Sequence, residues 1–231
     1  MADWASAEYH VPLSVAGFVE RLMDDLMTEW PEHRRFHRDD GYVADADVAG
    51  FFCDNVNGGR HEIFEDRLIA CGIPFNFEHS SGDDFESGWG YVRYQTQPDG
   101  TLCNIQNQWQ QSDNLVSWGV LLQVLEKEPD YIAEYIRAGA AECAPPDDLA
   151  EFQPNWPRHL AWAINNGCSE AVELLLVDGV PLSGFADLDL EISTDSLRAD
   201  VAARVRDQLA TELLLQGPAV VSQHRRRSGF L

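Results

Sequence analysis

Tyr91-Val-Arg-Tyr-Gln-Thr-Gln-Pro-Asp-Gly-Thr-Leu-Cys-Asn-Ile-Gln106 is the stretch on which the fold turns. Apolar and polar residues alternate on both sides of Pro98-Asp-Gly, the pattern of two strands joined by a tight turn, so the segment predicts a β-hairpin. Phe75, Phe77 and Phe85 supply material for one further strand. A lone hairpin is marginal in water and must cover its apolar face with other elements. Helices precede it, which predicts an α+β unit.

Upstream, Val15, Phe18, Val19, Leu22, Met23, Leu26 and Trp30 recur at spacings of three and four behind Ser14, a residue type that caps helices, and Pro31 stops the run. A second helix is expected from Asp47 to Asn57 through Val48, Phe51, Phe52 and Val56, ended by Gly58-Gly59. A third is expected from Glu62 to Cys71, with Gly72 at the position that favours a left-handed residue. Downstream, helical periodicity returns from Leu115, is broken at Ala144-Pro-Pro and again around Pro181, and ends in a helix predicted over Asp195–Gln216. The division that follows is an α+β region over 1–112, an all-helical region of antiparallel hairpins over 113–217, and a basic tail over 218–231.

Within the helical region, Leu160-Ala-Trp-Ala-Ile-Asn-Asn-Gly-Cys-Ser-Glu-Ala-Val-Glu-Leu-Leu-Leu-Val-Asp-Gly-Val180 resembles the helix-turn-helix core of an ankyrin repeat, with Leu160, Ala163, Gly167, Glu170, Val172, Leu174, Leu175, Leu176 and Gly179 on matching positions. Ala161 stands where that family has histidine, and its Thr-Pro entry is absent. Pro129 to Ala140 repeats the second helix and its glycine stop 40 residues earlier, against a family period of 33. The resemblance implies protein binding through helical hairpins, and in such an adaptor Tyr131, Tyr135 or Trp162 would be a contact residue if exposed. Two units are too few for a free-standing stack, so they must lean on the rest of the chain.

The 231 residues carry 39 acidic against 16 basic side chains, a formal charge of −23. Residues 1–112 hold 20 acids to seven bases and 113–217 hold 19 to six, while Arg225, Arg226 and Arg227 make the tail basic. A body this anionic disfavours direct contact with nucleic acid or anionic lipid, which need clustered cations. The expected partner is a basic protein, of which nucleic-acid-binding proteins are the extreme case. No stretch approaches the ~18 apolar residues of a membrane span and no signal peptide is visible, so a cytoplasmic protein is expected. The five scattered cysteines are expected as reduced, buried thiols.

The acidic clusters Asp24-Asp25, Asp39-Asp40 and Asp83-Asp84 are the candidate partner-binding residues, together with Asp187-Leu-Asp-Leu-Glu-Ile. As a strand, the last would align Asp187, Asp189 and Glu191 on one face at about 6.6 Å intervals. That matches two nucleotide steps of about 3.4 Å each, the spacing of a nucleic-acid mimic. The resulting expectation is a non-catalytic inhibitor or antagonist of a DNA-handling protein, of the kind bacterial mobile elements carry. The alternatives are an ankyrin-like adaptor and a histidine-dependent enzyme. His33 and His37 at i, i+4, together with His61 and His79, are the residues such an enzyme would use, but no spacing links them to a nucleophile. Two arginines between His33 and His37 oppose a metal. No catalytic, cofactor-binding or metal-ligating residue and no cofactor is assigned.

Overall fold

Along Trp4–Pro12, Ala5, Ala7, Tyr9 and Val11 are buried and alternate with half-buried Ser6, Glu8 and His10, the two-residue period of a strand, and this segment is β1. The computed structural model describes residues 4–29, 36–38, 48–57, 60–81, 86–96, 102–110, 149–182 and 192–215. After β1 come α1 (Ala16–Glu29), β2 (Phe36–Arg38), β3 (Val48–Asn57), α2 (Glu62–Cys71), β4 (Phe75–His79), β5 (Gly88–Thr96) and β6 (Leu102–Gln110). Among the described residues three helices follow: α3 (Trp156–Asn165), α4 (Ser169–Val177) and α5 (Ala199–Leu215). The class is α+β. Six strands form one sheet in the order β2-β3-β1-β4-β5-β6, and every neighbouring pair is antiparallel.

The expected hairpin is present, with β5 and β6 in register from Gly88 opposite Gln110 to Thr96 opposite Leu102. Phe75 and Phe77 lie buried on β4, while Phe85 falls outside the described residues. The helix expected over 47–57 is instead strand β3, paired on both sides with β1 and β2. Counting only the large residues Val48, Phe51, Phe52 and Val56 suggested a helical period. The inward-facing set is Ala49, Phe51 and Cys53, which alternates, and two of the three are small.

Helix α1 starts at Ala16 behind a short 3-10 turn over Leu13–Val15, without a side-chain cap. Ser14 does not cap it, because its hydroxyl donates to the Phe152 carbonyl at 2.9 Å. Helix α2 has the predicted bounds. The His61 ring accepts from the Phe64 N–H at 3.2 Å, and Gly72 takes φ 69°, so that the N–H groups of Gly72 and Ile73 close the last turn on Ile69 and Leu68. The final helix begins four residues later than predicted: the Leu197 N–H bonds Thr194 and the Arg198 N–H bonds the Ser169 hydroxyl, which holds this stretch in a turn.

One apolar cluster joins both parts of the chain. It runs from Tyr9, Phe51, Phe75 and Val92 on the sheet through Phe18, Leu22, Phe64 and Leu68 on α1 and α2 to Leu160, Ile164, Val172 and Leu175 on α3 and α4, and on to Val201 and Val205 on α5. Each fully buried residue of this size contributes about 1.5–3 kcal/mol. Two polar contacts register the α3–α4 hairpin on α2, from His159 Nδ1–H to the Cys71 carbonyl at 2.8 Å and from the Asn166 amide to the Ala70 carbonyl at 3.1 Å. Gly167 and Gly179, the two stops of the ankyrin-like match, both adopt φ 74°. The upstream half of that match, the boundary near residue 112 and the tail 218–231 lie outside the described residues.

Candidate functional site

The antiparallel register sets one row of side chains across the face of the sheet opposite the helices. Phe52 on β3 stands opposite Glu8 on β1, Glu8 opposite Glu78 on β4, and Glu78 opposite Trp89 on β5. At about 4.8 Å between strands, two carboxylates lie side by side with an aromatic residue on either flank. These four residues, with Ser6, Ser80 and Ser87, line a groove of about 520 Å³. His79 and Gly88 close one end of it.

Order at that end comes from β1 and the residue after β4. The Ser80 N–H donates to the Ser6 carbonyl and the Ser6 N–H to the Ser80 hydroxyl, both at 3.0 Å, fixing the two chains against each other. Glu8 contacts the His10 ring at 2.8 Å. Like charges directly opposite on neighbouring strands destabilise a sheet. Among the described residues, no lysine or arginine lines the groove to offset Glu8 and Glu78. The arrangement therefore attracts a cation from outside, and aromatic flanks suit a guanidinium or ammonium group through their negative faces.

On the helix side of β1 the chemistry is structural. The Tyr9 hydroxyl donates to Glu65 Oε1 at 2.7 Å and accepts from the His61 N–H at 2.8 Å. Burial first, and then the Glu65 charge, push the Tyr9 phenol well above its ordinary range, so it stays protonated. Arg60 pairs with Glu65, donates to the Gln108 side chain at 3.0 Å and lies over the Phe77 ring at 4.4 Å. This network fastens the start of α2 to three strands.

Of the acidic residues named from sequence, Asp24 is exposed on α1 and Asp25 follows it on the same helix. Asp39, Asp40, Asp83, Asp84, Asp187, Asp189 and Glu191 lie outside the described residues, as do His33, Tyr131 and Tyr135. His37 is on β2, an extended segment, where i, i+4 does not place two rings on one helical face. His61 is the buried cap of α2, and His79 is buried at the groove's end. Trp162, a contact of the adaptor reading only if exposed, is 8% exposed, since it packs edge-on to His159 inside the α3 face. Sequence reasoning missed Glu8, Phe52, Glu78 and Trp89. The alternation of β1 was the available signal for Glu8.

Among the described residues, no group of three or more His, Cys, Asp or Glu is placed to hold a metal ion, and no helix is long and apolar enough to cross a membrane. Searches against protein-family models, curated proteins and solved structures return no match.

Proposed function

We propose that this is a non-catalytic acidic interaction protein, an inhibitor or antagonist that offers negative surface to a basic, DNA-handling partner in the cytoplasm, of the kind bacterial mobile elements encode. The observation that carries the reading is the pairing of Glu8 with Glu78 in an aromatic-flanked groove on a chain of net charge −23. A cationic side chain of the partner, seated between Phe52 and Trp89, would relieve the repulsion between the two carboxylates and gain attraction from the whole body. The same charge keeps the body off nucleic acid itself.

Salt titration of the partner complex tests this. Affinity should fall steeply between low and physiological ionic strength, since exposed charges are screened over about 8 Å at 0.15 M. It should also fall about tenfold or more in a Glu8→Gln, Glu78→Gln double variant, by analogy with charged pairs at interfaces. A tight complex insensitive to both would refute the reading.

A second reading, an ankyrin-like adaptor, is favoured by the α3–α4 hairpin with its two left-handed glycine stops. In that reading residues 113–217 continue as antiparallel helical hairpins, charge serves solubility, and exposed apolar positions such as Val177 make the contact. Val177→Asp would then abolish a salt-insensitive complex.

A further inference from the structure

The two edges of the sheet are unequal. Edge strand β2 has three residues and includes Arg38, whereas edge strand β6 has nine, Leu102-Cys-Asn-Ile-Gln-Asn-Gln-Trp-Gln110. β6 pairs with β5 residue for residue along its whole length, with no bulge. Among the described residues, no strand pairs with its other side. About half of its residues turn both N–H and C=O away from β5, along an edge of about 30 Å.

Proteins guard such an edge with lysine, proline, a bulge or inward-pointing charge. β6 contains neither proline nor any charged residue. Glu8, Arg38, Asp54, Glu78 and Arg93 put at least one charge on each of the other five strands. The acids nearest to β6 in sequence, Asp99 and Asp113, each stand three residues beyond one of its ends. On a chain of net charge −23 this strand is a neutral line, and Ile105, Gln106 and Gln108 are exposed along it.

We propose that β6 pairs antiparallel with β6 of a second copy across a two-fold axis, so that the two sheets become one. An antiparallel edge is complementary to itself, because each outward N–H meets an outward C=O of the other copy. The second copy brings a strand of the same length with no charge, so no register sets like charges opposite each other. Asn104, Gln106 and Gln108 supply side-chain amides that can hydrogen-bond amides across the joint. A basic partner, by contrast, finds no carboxylate on this strand to pair with.

Repulsion between two bodies of charge −23 opposes the pairing, and it is screened as the Debye length falls from about 10 Å at 0.1 M salt to about 3 Å at 1 M. Self-association therefore strengthens with salt, opposite in sign to a complex held by a basic partner. A contact confined to one edge belongs to the small class of interfaces, so full-length protein is examined at about 50 μM.

Sedimentation should show a mass rising from one chain toward two between about 0.1 and 1 M salt. Hydrogen exchange read by mass spectrometry on the same solutions should show amides within 102–110 slowing about tenfold or more in the dimer, with the other five strands unchanged. An Ile105→Glu, Gln106→Glu variant, which sets two carboxylates from each copy along the joint, should stay a single chain at both salts. The exchange comparison decides without the variant. A single chain at 1 M salt overturns the proposal, as does a dimer that leaves the β6 amides unchanged or that weakens with salt. β6 amides already slow along their full length in the single chain overturn it too, because another occupant then holds that edge.

Discussion

His159 provides a sharp test of how the two parts of the fold are joined. Its ring is 3% exposed, boxed by Phe152, Trp156 and Trp162 at centroid distances of 5.3–5.7 Å, with Nδ1–H given to the Cys71 carbonyl. Burial, opposed by that hydrogen bond and aided by Arg158, holds its pKa down to about 4. An unfolded imidazole titrates near 6.5, so between pH 6.5 and 4 the unfolded chain binds more protons than the folded one, and stability falls as pH drops through that window. Above pH 6.5 this residue adds no pH dependence. The loss is about 2 kcal/mol at pH 5 and approaches about 3.4 kcal/mol well below pH 4, at 1.36 kcal/mol per unit. Replacing His159 by Asn keeps a donor for the Cys71 carbonyl and removes the titration. Urea unfolding at pH 7 and pH 5, at one ionic strength, should show a wild-type loss larger by about 2 kcal/mol than that of His159→Asn. Changes that agree within about 0.5 kcal/mol would refute the idea that this ring stays neutral in the fold.

Three further outcomes follow from the geometry. Gly167→Ala should cost about 2 kcal/mol or more, because the added Cβ meets Ser196 Cβ at 2.8 Å at positive φ, whereas Gly179→Ala, with nothing within 4 Å, should cost about 1 kcal/mol in the same thermal melts. Tyr9→Phe removes the hydroxyl shared by Glu65 and the His61 N–H and should destabilise by about 1–3 kcal/mol, measured by urea unfolding. Glu78→Gln should stabilise the free protein by about 0.2–1 kcal/mol at low salt by relieving Glu8, with the gain vanishing in high salt.

Some of this molecule could be read from the chain directly. The pairing of β5 with β6 and the Glu62–Cys71 helix with its glycine stop were legible because strand alternation and cap chemistry are written locally, without help from distant residues. β1 escaped notice since half of its inward face is alanine, and β3 was mistaken for a helix because its inward neighbours Ala49 and Cys53 are small beside Phe51. The acidic groove was illegible for a different reason. Glu8, Phe52, Glu78 and Trp89 come from four strands, and only the register of a six-stranded sheet makes them adjacent. Charge counting found the sign of the surface and favoured runs of consecutive acids, while the paired carboxylates are isolated in sequence.

The apolar cluster that continues from the strands into the carboxy-terminal helices has a consequence for inheritance as well as for melting. Leu160, Ile164 and Val172 share their burial with Leu68 and Phe75, so severing the chain between the sheet layer and the hairpin would strand apolar surface on both pieces. Heat should therefore take the two apart in a single transition, and a gene that duplicated or lost one piece would encode a polypeptide with no way to keep its interior dry.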